Sequence, residues 1–266
     1  MLAERLFWGA LLGLAAGWLG YSAGALNLTG MLAAWLVGAI TFGFGGWQAA
    51  GLLIAFFISS SALSRLAGRR KAQVEADFAK GGRRDWGQVL ANGGWAGVLA
   101  LASSMDESLL WLAAMVGSLA AVNADTWATE LGVLSNRQPR LITTWQTVRA
   151  GVSGGVTLEG LLASLVGAGL IAVLGAWWMD NALLAAAGVV GGFTGSLVDS
   201  LLGASVQAMY TCPSCHKETE RHPVHICGTP TQAIRGWPWL KNDGVNFIAA
   251  GVGAAVAALV VVFFTA

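Results

Sequence analysis

Charge is what this sequence has least of. Asp, Glu, Lys and Arg make up 11% of its 266 residues, against about 25% in a soluble globular domain. That scarcity argues against a water-soluble enzyme, and against a disordered scaffold, which needs low hydrophobicity and high charge. A formal net charge of +1 supplies no basic excess for nucleic acid. The alternation of apolar and polar residues that marks a membrane barrel is missing too. Cysteine and histidine occur only between Cys212 and Cys227, so a disulfide framework does not hold this chain together. What is abundant is apolar sequence: 56% hydrophobic residues, a mean hydropathy of +0.64 and 37 glycines. These are the proportions of an integral membrane protein.

Residues 6–64 contain no charged side chain at all, and one helical crossing takes about 20 apolar residues, so this stretch holds at least two. Further uncharged windows run 86–105, 108–124, 160–179, 181–198 and 244–266. The expected fold is all-α: a single transmembrane domain over 1–266, a bundle of seven or eight helices. The count turns on Gly43-Phe44-Gly45-Gly46, a break that favours separate helices at 30–45 and 47–64. The first segment lacks the polar mature sequence that follows a cleavable signal and is expected to remain as an anchor.

Basic residues gather in three stretches: Arg65, Arg69, Arg70, Lys71, Lys80, Arg83 and Arg84; Arg137, Arg140 and Arg149; and Lys217, Arg221, Arg235 and Lys241. The intervening connections, with Asp106, Glu107 and Asp180, have none. The positive-inside rule puts the basic loops in the cytoplasm and the C-terminus outside, in the cell membrane. The first basic group, Arg65 to Lys71, reads as an ordinary anchor. Thirteen tryptophans read as interfacial anchors and packing.

An ionised Asp at the bilayer centre costs about 2.5 to 3.5 kcal/mol on insertion scales, so such residues face a cavity, an ion or a partner. Asp125, Glu130, Glu159, Asp199 and Asp243 all stand in or at the ends of apolar segments, with Asn92, Asn123, Asn242 and Asn246 near them. Glu159 also suits the first turn of a helix as a dipole partner. Carboxylates opposite arginines and lysines suit a hard divalent cation such as Mg²⁺, which bridges substrate phosphates. Asp125, Asp199 and Asp243 are the candidate Mg²⁺ ligands, with Glu130 beside them. Lys80, Arg83, Arg84 and Arg140 are candidate phosphate ligands. Between two apolar segments, Gly151-Val152-Ser153-Gly154-Gly155-Val156-Thr157 opens a helix whose backbone N–H groups favour anions; helix packing is its alternative reading. No Lys follows its glycines, so it is not a Walker A loop.

The segment 205–241 is expected to be a cytoplasmic insert. Cys212-Pro213-Ser214-Cys215 is a C-x2-C knuckle, and Cys227 with His222 or His225 would complete a tetrahedral structural Zn²⁺ site. A redox pair or free thiols are the alternatives.

Ala124 to Gly132, Pro139 to Thr143, Gly151 to Gly160, Gly195 to Ala204 and Asn242 to Asn246, in this order, resemble an uncharacterised integral membrane family that includes the plant and cyanobacterial phytyl-phosphate kinase. The Asp-Thr-x-Ala-x-x-x-Gly pattern starting at Asp125 is more loosely similar to phytol and dolichol kinases, which use CTP. The resemblance implies transfer of a phosphoryl group from a nucleoside triphosphate to a prenyl monophosphate. It would assign Asp125, Glu130, Asp199 and Asp243 to catalysis, with Lys80, Arg83, Arg84 and Arg140 on phosphates, Ser153, Gly154, Gly155 and Thr157 offering loop donors, and Asn92 and Asn246 orienting groups. Partners would be the isoprenoid lipid phosphate, the nucleotide and membrane lipids, with no nucleic acid. A proton- or sodium-coupled transporter is the alternative, and it needs polar residues reaching both membrane halves. A membrane scaffold whose knuckle binds a partner would leave Asp125 and Asp199 without a purpose.

Overall fold

The computed structural model describes residues 2–75, 83–106 and 108–265. Its helices are α1 (Leu2–Ser22), α2 (Leu28–Glu75), α3 (Trp86–Met105), α4 (Leu109–Gly132), α5 (Leu158–Trp178), α6 (Leu183–Ser205) and α7 (Asn242–Thr265). Six of them are long and apolar enough to cross a membrane; α3 is not among these.

α2 is two helices in one run. At Gly46 the backbone takes φ 69° and ψ −161°, a region glycine enters without steric cost, and the chain turns back. The reversal is fixed by contacts: Arg84 pairs its backbone with Leu26, while its guanidinium lies 5.7 Å from the ring centres of Phe56 and Phe57. A straight helix would put Phe57 about 45 Å from Leu26 at 1.5 Å per residue. The chain thus traverses the bundle eight times, as the glycine break suggested. Both described ends lie at one face, here the far face. The three basic stretches lead into or out of the opposite one, the site face.

Glycine supplies the close packing. α1 buries Gly9, Gly13, Gly17 and Gly20, the small-residue seam that lets membrane helices approach backbone to backbone. A methyl group at Gly13 would sit 2.8 Å from the Trp35 carbonyl, and one at Gly9 2.8 Å from that of Ala39. α4 is the axis of the bundle and is buried without interruption from Ala113 to Ala124. Outward-facing Phe7, Trp8, Leu19, Ile58, Val166, Val173, Trp177, Phe263 and Phe264 are exposed, a girdle that only lipid can cover. Several tryptophans fasten helices as well as anchoring them: Trp95 Nε1 donates to the Phe247 carbonyl and Trp35 Nε1 to that of Ala10, both at 2.9 Å.

Side-chain caps set several helix starts: Asn27 Oδ1 accepts from Gly30 N at the start of α2. Asp85 and Gln88 form a reciprocal capping box at α3; Ser108 accepts from Leu110 N at α4, and Thr157 from Gly160 N at α5. The site-face loops add what an all-helical expectation omits. β1 (Arg140–Leu141) pairs with β2 (Gly155–Val156), and β3 (Met209–Cys212), β4 (Lys217–Thr219) and β5 (Gln232–Arg235) make an antiparallel sheet in the order β4-β3-β5. α4 and α6 run on past the uncharged windows, through Asp125 to Gly132 and through Asp199 to Ser205, so both aspartates stand inside helices.

Candidate functional site

A cavity of about 710 Å³ opens at the site face, between the second arm of α2, α3, α4, α6, α7 and the loops above them. Three helices each direct an aspartate into it: Asp125 from α4, Asp199 from α6 and Asp243 from the first turn of α7. At its base a narrow void is lined by Asn92, Asp125, Asp199 and Asn246 over an apolar floor of Ala121, Val122, Ala249 and Ala250. With its amide oriented to satisfy both ends, Asn246 donates to Asp199 Oδ2 at 2.9 Å and to the Asn242 carbonyl at 3.2 Å. Glu130 is buried at 3% exposure and accepts from Ser64 Oγ at 2.6 Å.

The same cavity is lined by the basic residues Arg65, Arg84 and Lys241. Arg84 is the most tightly held. Its N–H donates to the Ala25 carbonyl and its own carbonyl accepts from Asn27 N, both at 3.0 Å, and Gly30 allows that approach, since a methyl there would overlap the Arg84 carbonyl. Burial lowers the guanidinium from its usual value, opposed by the Glu130 carboxylate, which raises it. Arginine keeps its charge regardless, so Arg84 is a fixed cation between two phenyl rings. Arg65 is tethered by a 2.7 Å bond from Nη2 to the Ala23 carbonyl.

The glycine loop forms a wall of the cavity from Gly151 to Thr157. Gly154 has φ 83°, and a methyl there would collide with Ala204 at the end of α6. Arg235 staples the two, donating to the Gly203 carbonyl at 3.0 Å, to the Ala204 carbonyl, and to the Ser153 carbonyl at 3.3 Å. Ser153 Oγ donates to Gln207 Oε1 at 2.9 Å, and Gln207 Nε2 to Glu220 Oε1 at 2.7 Å. This chain links the loop to the insert. Gly155 N–H is taken by the Val152 carbonyl at 3.0 Å, and Thr157 Oγ1 by the α5 cap. Loop packing therefore occupies part of the donor set expected of a phosphate cradle.

Of the residues singled out in the sequence, the cavity gathers Asp125, Glu130, Asp199, Asp243, Arg84, Asn92, Asn246, Ser153, Gly154, Gly155 and Thr157. Arg140 is not among its walls: it is exposed in β1 and donates to the Trp145 carbonyl at 3.3 Å. Arg83 is exposed beside Gly24. Lys80 lies outside the described residues. Glu159 takes a 3.0 Å bond from Ser135 Oγ and is exposed away from the cavity. Asn123 is a fastener, donating to the Gly167 carbonyl at 2.8 Å and accepting from Ser59 Oγ at 2.9 Å, which joins α4 to α5 and α2. Sequence reasoning read Arg65 as an anchor and passed over Ser61, Ser64, Gln207 and Glu220, all of which line the cavity. The serine run from Ser59 to Ser64 in an uncharged helix was the available signal.

In the insert, Cys212, Cys215, His225 and Cys227 bring one donor atom each within 4.8 Å of one another. His222 stands apart from them: its ring stacks on Tyr210 at 4.3 Å and its Nδ1 lies 3.3 Å from Thr231 Oγ1. Hydrogen bonding with the Thr229 side chain, then with His225, holds the Cys227 thiol down to about 5. Its bond with Cys227, ahead of burial, pushes Cys215 up to about 11.

Fold and cavity together define a polytopic integral membrane protein with a polar site at one face. The chain belongs to the integral membrane protein DUF92 family, matching it over residues 11–254. It is 35% identical over 254 residues to Protein PGR of Arabidopsis thaliana, covering 86% of each chain. It is 35% identical over 180 residues to an uncharacterized membrane protein of Methanocaldococcus jannaschii, covering 67% of this chain and 74% of that one. Against Protein VTE6, chloroplastic, of Arabidopsis thaliana the identity is 29% over 246 residues, 88% of this chain and 65% of the relative. No solved structure matches.

Proposed function

We propose that this protein is a membrane-embedded phosphotransferase that moves the terminal phosphoryl group of a nucleoside triphosphate, CTP in the first instance, to a prenyl monophosphate of the phytyl or geranylgeranyl type. The observation that carries the reading is the cavity itself: carboxylates from three helices face Arg84, Arg65 and Lys241 at the mouth of an apolar bundle. An isoprenoid tail needs an apolar slot between helices, and its phosphate needs cations where the bundle meets water. The motifs between Ala124 and Asn246 that resemble the prenyl-phosphate kinases fall largely on this cavity, which supports the same reading.

Phosphoryl transfer asks of a protein mainly positioning and charge neutralisation. The donor set of Asp125, Asp199 and Asp243 with nearby amides is all oxygen, which fits Mg²⁺. When bound there, Mg²⁺ would neutralise the charge on the nucleotide phosphates. Arg84, beside Phe56 and Phe57, holds phosphate at a fixed point; Lys241 and Arg65 add further positive charge; Asn92 and Asn246 orient Asp199 and the group beside it. An oxygen of the prenyl monophosphate attacks the terminal phosphorus, that phosphorus's bond to the bridging oxygen breaks, and the nucleoside diphosphate leaves. The acceptor oxygen is already anionic, so no residue removes a proton. The basic loops favour the cytoplasmic side of the cell membrane for this chemistry. All of the acids of the cavity gather at one end of the bundle, which favours this reading over coupled transport.

The test incubates detergent-purified protein with Mg²⁺, geranylgeranyl or phytyl monophosphate, and CTP or ATP in parallel, and follows prenyl diphosphate by mass spectrometry. Diphosphate from the wild type and its loss in Asp125→Asn is the expected result. A folded wild type that yields no diphosphate with either nucleotide overturns the proposal and sends the question to ion flux in liposomes.

A further inference from the structure

The acids and cations of the cavity leave one chemically loaded cluster unused, that of the insert. Cys212 and Cys215 flank the turn after β3, and His225 and Cys227 flank a second turn facing it. Each turn is closed by a backbone bond, His216 N to the Cys212 carbonyl and Gly228 N to the His225 carbonyl, both at 2.9 Å. Each ends on a residue with positive φ directly after its last sulfur, 52° at His216 and 87° at Gly228. Two such turns, face to face, aim four donors at one point.

The distances decide what the point is for. Cys212 Sγ is 3.5 Å from Cys227 Sγ, and His225 Nδ1 is 3.6 Å from Cys215 Sγ and 3.1 Å from Cys227 Sγ. A tetrahedral zinc with Zn–S of about 2.3 Å and Zn–N of about 2.0 Å holds its ligand atoms about 3.5 to 3.8 Å apart. A disulfide would use two sulfurs and leave the third, with the imidazole drawn in, to no purpose. Three thiolates and one imidazole select a borderline-soft ion, and four protein ligands leave it no open position. Cys212 is 0% and His225 4% exposed, so an ion held there is shielded on one side by the sheet.

We propose that Cys212, Cys215, His225 and Cys227 bind one structural Zn²⁺, and that this ion fixes the wall of the membrane-face cavity formed by the insert. The second clause follows from connectivity. β3 carries Cys212 at one end and Tyr210 in its middle, and Tyr210, Gln207 and Glu220 all line the cavity. Gln207 joins Glu220 on the insert to Ser153 on the glycine loop. Zinc thus closes the insert onto itself on one side of the sheet while the Ser153–Gln207–Glu220 chain hands that rigidity to the loop. Neither clause depends on the phosphotransferase reading.

The measurement is metal content of the full-length protein purified in detergent without chelator, by plasma emission spectrometry. One zinc per chain is expected in the wild type and in His222→Ala, with a fall of at least about tenfold in Cys215→Ser and in Cys227→Ser. Cobalt added to chelator-treated protein is expected to give the visible bands of a tetrahedral thiolate site, quenched by one equivalent of zinc. For the second clause, hydrogen exchange at residues 151–157 is expected to speed up on chelation and to return on zinc addition, at residues 113–124 to stay unchanged. Background zinc in a folded wild type, equal zinc in the cysteine variants, or an intact mass showing a Cys212–Cys227 disulfide overturns the site. Unchanged exchange at 151–157 overturns the coupling alone.

Discussion

At the far face the chain turns with as little material as it can: a single glycine at Gly46, and short links from Met105 to Leu109 and from Trp178 to Leu183. At the site face one link is short, residues 23–27 between α1 and α2, but the connections beside α4, α6 and α7 run 133–157 and 206–241, and these two carry every described strand. The difference teaches where polar chemistry can be housed in such a bundle. Short links force neighbouring helices together down to their ends, leaving no room for a carboxylate that needs water or a cation. Long loops let α4, α6 and α7 diverge, and Asp125, Asp199 and Asp243 enter the gap. The interior of α4 records the transition, small or apolar residues and Ser118 from Ala113 to Val122, then Asn123, Asp125 and Glu130 as it approaches the site face.

The sharpest way to break this contrast is to remove charge from the polar end alone. Asp125→Asn or Asp199→Asn keeps the shape and is expected to lower prenyl diphosphate formation by about 10²- to 10³-fold, the usual cost of losing one preorganised electrostatic partner of a transition state, with unchanged thermal unfolding in detergent. Arg84→Ala comes next. A charge-assisted hydrogen bond is worth about 1.5 to 3 kcal/mol, so substrate KM is expected to rise about 10- to 100-fold, and Arg84→Lys to recover little, because an ammonium cannot lie flat between Phe56 and Phe57. Chemical activity is not the only readout. Gly13→Leu inserts a side chain where a single carbon already meets the Trp35 carbonyl at 2.8 Å; overpacking of about 1 to 3 kcal/mol is expected to lower the unfolding temperature while kcat at low temperature holds. Asn123→Ala removes bonds that tie three helices together. Such bonds average about 0.6 kcal/mol in membrane proteins, so a small loss of stability is expected, with little change in activity, and a large activity loss would move Asn123 from fastener to site.

Much of this was legible in the sequence because the membrane makes charge informative. With residues 6–64 free of charge, the reversal at Gly46 followed from length and one glycine-rich break. Asp125 and Asp199 announced themselves by the cost of being where they are. What stayed illegible was direction. Asp125 and Asp199 were readable as helix residues, but not the cavity between α4, α6 and α7 that both of them line. Arg65 read as an anchor and Arg84 as a phosphate ligand, and only the reversal of α2 reveals that both line one cavity, with Phe56 and Phe57 returned beside the second. Three cysteines and three histidines allowed two zinc sets, and the stack of His222 on Tyr210 decides for His225 as the nearby donor. Gln207 is uncharged and solitary in sequence, and its role as the link between Ser153 and Glu220 exists only in three dimensions.

The smallest expected effect carries its own weight, because it separates loop charge from site charge at the same face. Arg140 sits in β1, paired with Val156 of β2, one strand away from the glycine loop. Its side chain is exposed and committed to the Trp145 carbonyl. An exposed arginine that only bonds its own loop contributes about 0 to 1 kcal/mol. Arg140→Ala is therefore expected to leave both KM and kcat within about twofold, measured beside Arg84→Ala in the same preparation. If Arg140→Ala instead raises KM as far as Arg84→Ala does, the Arg140 side chain must leave the Trp145 carbonyl and turn into the cavity when nucleotide binds. The phosphate site would then be completed by a side chain that the unliganded bundle holds outside it.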